Sequence, residues 1–202
     1  MSAVSIYPVA GLPEIVKGAS LPDLIGDALA RLGMSLEEGD VVVITQKVVS
    51  KAEGRVVSLD RVHPSVRATE IGQRIGFDPR HVEVILSESV RIVREAPRVL
   101  ITETRHGFIC ANSGVDRSNT GGKELVVLLP EHPDESARRL RAGLQALSDV
   151  EVGVVSRGAT SPRGEAAGKQ VRHVRIPQRG GHVHHRAQKV LRRCRPFSHP
   201  AR

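Results

Sequence analysis

Three short segments of the sequence combine residue types that can bind phosphates or cations. The first is Gly11-Leu12-Pro13-Glu14, which follows an apolar run and can present backbone N–H groups and one carboxylate to a ligand. The second covers residues 45–51, Thr-Gln-Lys-Val-Val-Ser-Lys, whose lysines and polar side chains can hold phosphates. The third covers residues 111–123, where small residues permit close approach of a ligand. In it, Asp116 offers a hard oxygen to Mg²⁺ or Mn²⁺, and Asn119 can hydrogen-bond a base or a phosphate.

Each segment also has an ordinary structural explanation. The first can be a plain turn, the second the polar end of a strand, and the third a loop without a ligand. Gly121-Gly122-Lys123 is not a P-loop, because Arg117 occupies the position of the first glycine and Glu124 that of the Ser or Thr.

The elements around these segments are those of a mixed α/β domain. Apolar runs predict strands at residues 4–9, 41–45, 99–102, 107–110, 124–129 and 152–155. Helical spacing with capping residues predicts helices at residues 21–32, 65–74 and 134–147, and Asp78-Pro79 predicts a further short helix. Residues 41–45 carry no polar alternation, which is typical of a strand covered on both faces. Ligands in open α/β sheets lie beyond the carboxyl ends of such strands, where residues 45–51 follow.

Charge is distributed unevenly along the 202 residues. The chain has a formal net charge of +8, yet residues 156–202 hold 12 basic side chains and one acidic side chain, Glu165. Residues 1–155 hold the remaining 18 basic and 21 acidic side chains. Composition therefore predicts a disordered basic tail from residue 156 onward. Such an arm also suggests an alternative function, an α/β domain that binds nucleic acid non-specifically, although Phe197 is its one aromatic residue.

Other classes of protein are disfavoured by composition. Two cysteines, Cys110 and Cys194, exclude a disulfide framework. No apolar stretch approaches the roughly 20 residues of a membrane span, and no signal peptide is evident. The sequence predicts a cytoplasmic protein without a membrane partner.

Taken together, the three segments resemble the coenzyme F420 gamma-glutamyl ligases. The resemblance is carried by Gly11–Glu14, by Gly39–Lys51 and by Gly114-Val115-Asp116-Arg117-Ser118-Asn119, in that order, and by Ile101–Gly107 between them. It covers residues 4–155. It implies the family's own α/β fold, a homodimer, and a reaction that joins L-glutamate to coenzyme F420-0 with GTP through an acyl phosphate.

The resemblance also implies the roles of individual residues. It implies Asp116 as ligand of Mg²⁺ or Mn²⁺, with K⁺ as a further candidate cation, and Lys51 with Asp116 as the catalytic pair. GTP contacts are implied at Leu12, Pro13, Glu14, Ile15, Thr45, Gln46, Lys51 and Asn119.

After Val155 the sequence departs from the family pattern. Ser156-Arg157 stands where the family has an Asp-Thr pair whose Asp is a further metal ligand. Arg, Gly, Pro, His and Ala become abundant from the same position. We therefore expect residues 1–155 to be the N-terminal part of a ligase domain that is incomplete at its C-terminus, and residues 156–202 to be a truncated or frameshifted continuation.

Overall fold

The computed structural model describes residues 4–120, 123–157 and 171–175, with only the backbone at 118–120, 123 and 171–175. The helices are α1 Leu21–Arg31, α2 Gln46–Ala52, α3 Val66–Ile75, α4 Pro79–Ser87 and α5 Pro133–Ser148. The strands are β1 Ser5–Pro8, β2 Val41–Thr45, β3 Val56–Ser58, β4 Ser89–Ala96, β5 Val99–Thr104, β6 Ile109–Ala111, β7 Asp116–Thr120, β8 Lys123–Val127, β9 Gly153–Arg157 and β10 Val171–Arg175. Single 3₁₀ turns lie at Leu59–Arg61 and Asn112–Gly114. The mixed α/β class predicted from the sequence is confirmed.

The chain divides into two compact units. The first comprises Met1–Ile15, Ala19–Val49 and His132–Arg202, and the second comprises Val16–Gly18 and Ser50–Glu131.

The first unit is built on a four-stranded sheet of order β1-β10-β2-β9. Strand β10 is antiparallel to both β1 and β2, so β1 and β2 run in the same direction, and β9 is parallel to β2. Helices α1 and α5 pack together through small residues: a Cβ at Gly143 would overlap the ring of Pro22. The core of this unit is aliphatic, with side chains such as Ile25, Leu144, Val42 and Ile44 almost fully buried.

The second unit contains two three-stranded sheets, β3-β8-β7 and β4-β5-β6, and helices α3 and α4. Both sheets are antiparallel throughout. Their common core is a single cluster that includes Leu59, Ile71, Ile85, Leu100 and Val126.

Several elements differ from the sequence prediction, and strand β3 was not predicted. Residues 46–52 form helix α2, and Asp116–Thr120 form strand β7 rather than a loop. The bulged strand β4 was not predicted. Strand β9 continues to Arg157, and β10 lies in the segment for which no strand was predicted. The remainder of the predicted tail, and the Gly121-Gly122 pair, lie outside the described residues.

Candidate functional site

The carboxyl ends of β1, β2 and β9 lie at one edge of the first unit's sheet, because these strands are mutually parallel. Pro8 and Val43 are both opposite Arg172 of β10, which aligns the ends of β1 and β2. The predicted GTP-binding segments follow at this edge: Leu12 to Ile15 after β1, and Thr45 and Gln46 at the end of β2. Ligand sites in α/β proteins are found at this side of a sheet.

The polar atom at this edge that indicates a ligand is the hydroxyl oxygen of Thr45. Its Oγ1 is buried and has no hydrogen-bond partner among the described residues. An unsatisfied buried hydroxyl costs about 1–3 kcal/mol, so such a group is expected to have a partner when the protein works. Arg157, which is exposed, lies opposite Thr45 in the β2–β9 register. A hydroxyl donor and an arginine at paired strand positions suit an anion such as phosphate.

The segment after β1 is shaped by Gly11, whose φ is +79°. A Cβ at this position would meet no atom within 4 Å, so the backbone conformation rather than crowding favours glycine here. The Arg31 guanidinium donates to the Gly11 carbonyl at 3.3 Å and ties the segment to the end of α1. Ile15 is buried, Leu12 half-buried, and Pro13 and Glu14 are exposed.

The other predicted site residues, Lys51, Asp116 and Asn119, belong to the second unit. Lys51 lies in the last turn of α2 and is half-buried. The end of that helix is closed by backbone hydrogen bonds from Gly54 to Lys51 and from Arg55 to Ser50. Asn119 lies in β7 opposite Glu124, and its side chain is outside the described residues.

Asp116 is exposed at the start of β7, opposite Val127 of β8. It is preceded by three residues in left-handed conformation, Asn112, Ser113 and Gly114, with φ of 55°, 52° and 70°. Left-handed conformation costs a non-glycine residue about 1–2 kcal/mol, less for Asn. This turn is therefore stabilised by its surroundings rather than by local preference.

Those surroundings are two buried hydroxyls. The Ser113 N–H donates to Thr102 Oγ1 at 2.8 Å, and the two hydroxyl oxygens are 2.7 Å apart. Ser113 Oγ also donates to the Ile85 carbonyl at 3.2 Å. The Val115 N–H closes the turn on the Asn112 carbonyl at 2.8 Å. Sequence reasoning missed this arrangement, although Asn-Ser-Gly after an apolar strand is a composition typical of left-handed turns.

A divalent cation at Asp116 would depend on donors other than protein carboxylates. No group of three His, Cys, Asp or Glu side chains that could hold a metal occurs within the described parts of the chain. Mg²⁺ commonly keeps several waters and is bound by one or two carboxylates together with substrate phosphates. The donor set thus fits a cation shared with a nucleotide, and it does not fit a metal held by side chains alone.

A charged cluster surrounds the N-terminus of α4. Arg80 forms ion pairs with Asp78, with Glu124 of β8 and, at 3.7 Å, with Asp60. Next to it, His81 is buried, stacks on Phe77 with a ring-centroid distance of 6.2 Å, and has an Nε2 without a partner among the described residues. Burial, followed by the Arg117 charge, lowers the pKa of His81, which keeps its imidazole neutral at pH 7. Sequence reasoning missed His81 too, because Asp78-Pro79 indicates only a helix start.

Comparison with known proteins decides the family. The sequence model of the F420-0:gamma-glutamyl ligase family matches residues 11–177. The chain belongs to the F420-0:gamma-glutamyl ligase family. The match includes β10, so this chain's likeness to the gamma-glutamyl ligases extends past Val155.

Curated relatives of this member of the family carry one name, coenzyme F420:L-glutamate ligase. The relative from Methanopyrus kandleri is 46% identical over 155 residues, 77% of this chain and 59% of its own length. That from Methanothermobacter thermautotrophicus is 41% identical over 75% of this chain and 60% of its own length. That from Halobacterium salinarum is 43% identical over 74% of this chain and 57% of its own length. The chain therefore spans about three fifths of the length of these relatives.

No helix within the described residues is long and apolar enough to cross a membrane.

Proposed function

We propose that the chain binds GTP and acts in the ligation of L-glutamate to coenzyme F420-0. The observation that carries this proposal is the buried Thr45 hydroxyl, which has no hydrogen-bond partner in the described part of the chain and lies at the carboxyl edge of parallel strands in a member of this family. Its nearest counterpart in the register, Arg157, adds a positive charge that favours phosphate.

The proposed chemistry has two steps. The γ-phosphoryl group of GTP is transferred to a carboxylate oxygen of F420-0, which gives an acyl phosphate and GDP. The amine of L-glutamate then attacks the acyl carbon, phosphate leaves with the former carboxylate oxygen, and the amine loses a proton as the amide forms. A divalent cation, when bound, neutralises charge on the phosphates.

The chain's own residues bind and orient the nucleotide in this proposal. Thr45 donates its hydroxyl proton to a phosphate oxygen. The resemblance to the family implies that the Asp116 carboxylate would hold a divalent cation, and that the Lys51 ammonium would offset charge on the transferred phosphoryl group. The GTP contacts of Leu12–Ile15, Gln46 and Asn119 are carried over from the family resemblance.

Equilibrium binding of a fluorescent GTP analogue to the full chain tests the nucleotide site. Thr45→Val keeps the side chain's shape and removes the hydroxyl, so we expect about a 10-fold weaker affinity, in line with one lost hydrogen bond to a charged acceptor. Thr45→Ser restores the hydroxyl and should bind within about threefold of the parent, by the same reasoning. Equal affinity of the Val variant and the parent would contradict the assignment.

Turnover is measured separately. The chain is incubated with F420-0, L-glutamate, GTP and Mn²⁺, and glutamylated product, GDP and phosphate are quantified. Equal amounts of the three products support the ligase reaction. Nucleotide binding without product would contradict ligase activity of this chain and leave the nucleotide site standing.

We also propose that the chain forms a homodimer through the outer face of the sheet β4-β5-β6. Val99, Ile101 and Glu103 point away from the core, since Leu100, Thr102 and Thr104 between them are buried. Large exposed apolar side chains gather on and beside this sheet: Val90, Val93, Val99, Phe108 and Ile109.

A second copy suits this face because the face carries both charges beside its apolar residues. Arg94 lies opposite Ile101 and is exposed, and Glu103 lies opposite Ile109. In a two-fold arrangement the same patch meets itself, so a patch with both charge signs is self-complementary.

A further inference from the structure

We propose that Thr102 and Ser113 are positioning residues that hold the left-handed turn Asn112–Gly114 and thereby orient the Asp116 carboxylate for a divalent cation. The inference rests on the proposed function, which assigns the cation to Asp116. Nothing in the resemblance to the ligase family gives a role to either hydroxyl.

The hydroxyls of Thr102 and Ser113 form one hydrogen-bonded unit with a single consistent direction of donation. Thr102 and Ser113 are both at most 1% exposed. If Ser113 Oγ donates its proton to the Ile85 carbonyl, Thr102 must donate its own proton to Ser113 Oγ. Thr102 Oγ1 is then an acceptor for the Ser113 N–H. Each hydroxyl proton is used once, and no donor in the unit is left without an acceptor.

This unit determines the conformation of the turn Asn112–Gly114. Ser113 has φ 52° and ψ 25°, which a serine rarely adopts. Its N–H and its Oγ are both bound to groups on other elements, β5 and α4, so leaving the left-handed region would break those bonds inside the core. Gly114 accepts its φ of 70° because it has no Cβ.

The turn in its left-handed conformation fixes the backbone that enters Asp116. Val115 alone separates Gly114 from Asp116, and its side chain is buried in the core cluster. Its N–H is bound to Asn112, so the turn sets the direction in which the chain enters β7. The direction of the Asp116 side chain at the first position of β7 follows from that entry. A ligand offering one carboxylate depends on such positioning, since outer contacts that orient a ligand commonly change metal affinity 10–100-fold.

The test adds Mn²⁺ to the isotope-labelled full chain with GTP present, because the donor set at Asp116 fits a cation shared with a nucleotide. Mn²⁺ broadens the NMR signals of nearby amides, so a titration reports both where the ion binds and how tightly. In the parent we expect broadening centred on the amides of residues 115–117. In Thr102→Val the same broadening should require about 10-fold more Mn²⁺, as expected when a contact that orients a ligand is lost. Thr102→Ser, which keeps the hydroxyl, should stay within about twofold of the parent.

Ser113→Gly provides a second variant if Thr102→Val does not fold. Glycine accepts the left-handed conformation but has no hydroxyl, so the same loss of Mn²⁺ affinity is expected. Unchanged titrations of the folded Val and Gly variants would overturn the positioning role while the cation assignment stood.

Asp116→Asn separates the two assignments. It should abolish the localised broadening. If the parent shows no broadening near Asp116, or Asp116→Asn does not change it, the cation assignment of the proposed function fails, and the positioning role is overturned with it.

Discussion

Gly114 is a residue of the second unit where the backbone has little tolerance for a side chain. Its φ is +70°, and a Cβ at this position would lie 2.8 Å from Leu129 Cδ2 and 3.0 Å from Leu129 Cγ. A side chain at Gly114 would therefore cost free energy in two ways: through the left-handed backbone and through crowding against the half-buried Leu129. Gly107 has φ +79° with nothing within 4 Å of its Cβ position, so it carries only the first cost.

Gly114→Ala should lower the free energy of unfolding by about 2–3 kcal/mol, through left-handed strain and displacement of Leu129. Gly107→Ala serves as the matched control and should cost about 1 kcal/mol, from strain alone. Urea denaturation followed by circular dichroism gives both values. Equal losses in the two variants would show that Leu129 moves aside at no cost.

The junction of α3 and α4 shows how two helices share one capping group. Ser65 precedes α3, and its Oγ accepts from the Ala68 N–H at 3.2 Å. The same Ser65 donates from its N–H and its hydroxyl to Glu83 of α4, at 2.8 and 2.6 Å. These hydrogen bonds lower the pKa of Glu83, so the ionised carboxylate is the form that connects the helices.

Glu83→Gln should reduce stability by about 1 kcal/mol at pH 7, because an amide accepts these hydrogen bonds less strongly than a carboxylate. Since the folded pKa lies below the ordinary value of 4.5, the carboxylate's contribution is complete above that pH. It is lost as the pH falls through the folded pKa, because the unfolded chain then takes up the proton first.

Denaturation midpoints of parent and variant, measured from pH 7 down to acid, should therefore converge below the ordinary carboxyl pKa. Glu131→Gln, at an exposed position outside both helices, is the control and should shift stability equally little at every pH. A constant difference between parent and Glu83→Gln across the range would contradict the assignment.

The elements that could be predicted from the sequence are those whose side chains follow a regular period. Helices α1, α3, α4 and α5 have capping residues or proline at the start and apolar positions at helical spacing, and strand β2 is a continuous β-branched run. Strand β4 was missed because its bulges interrupt the alternation of buried and exposed residues. Strand β7, Asp-Arg-Ser-Asn-Thr, was missed because its ladder with β8, rather than its residue types, defines it.

Only part of the candidate site could be predicted from the sequence. The positions of Thr45 and Gln46 could be predicted, because the β-branched run that predicts β2 also locates the carboxyl end of that strand. The missing partner of the Thr45 hydroxyl and the Thr102–Ser113 unit depend on contacts between distant parts of the chain. No local sequence pattern encodes such contacts.

At the scale of the whole molecule, the face of the sheet β4-β5-β6 gives a prediction about association. Ile109→Asp places a charge on an exposed apolar residue of β6 and should convert a dimer to a monomer, because burying an unpaired carboxylate is strongly unfavourable. Val66→Asp is the matched control: Val66 is 77% exposed, against 59% for Ile109, and lies at the start of α3. Sedimentation velocity distinguishes the species.

The control variant should sediment as the parent does. Dimers in both variants would place the interface elsewhere, and a monomeric parent would contradict the proposed homodimer itself.

The position of β10 has a consequence for how the chain is made. Strands β1 and β2 are synthesised early, yet each pairs along one edge with Val171–Arg175, which lies between them, so this part of the sheet cannot form until that segment has left the ribosome. Synthesis proceeds at about 5–20 residues per second, so the backbone edges of both strands stay open for several seconds of translation. Open strand edges are templates for aggregation, which makes the nascent first unit a substrate for chaperones that bind extended apolar chain.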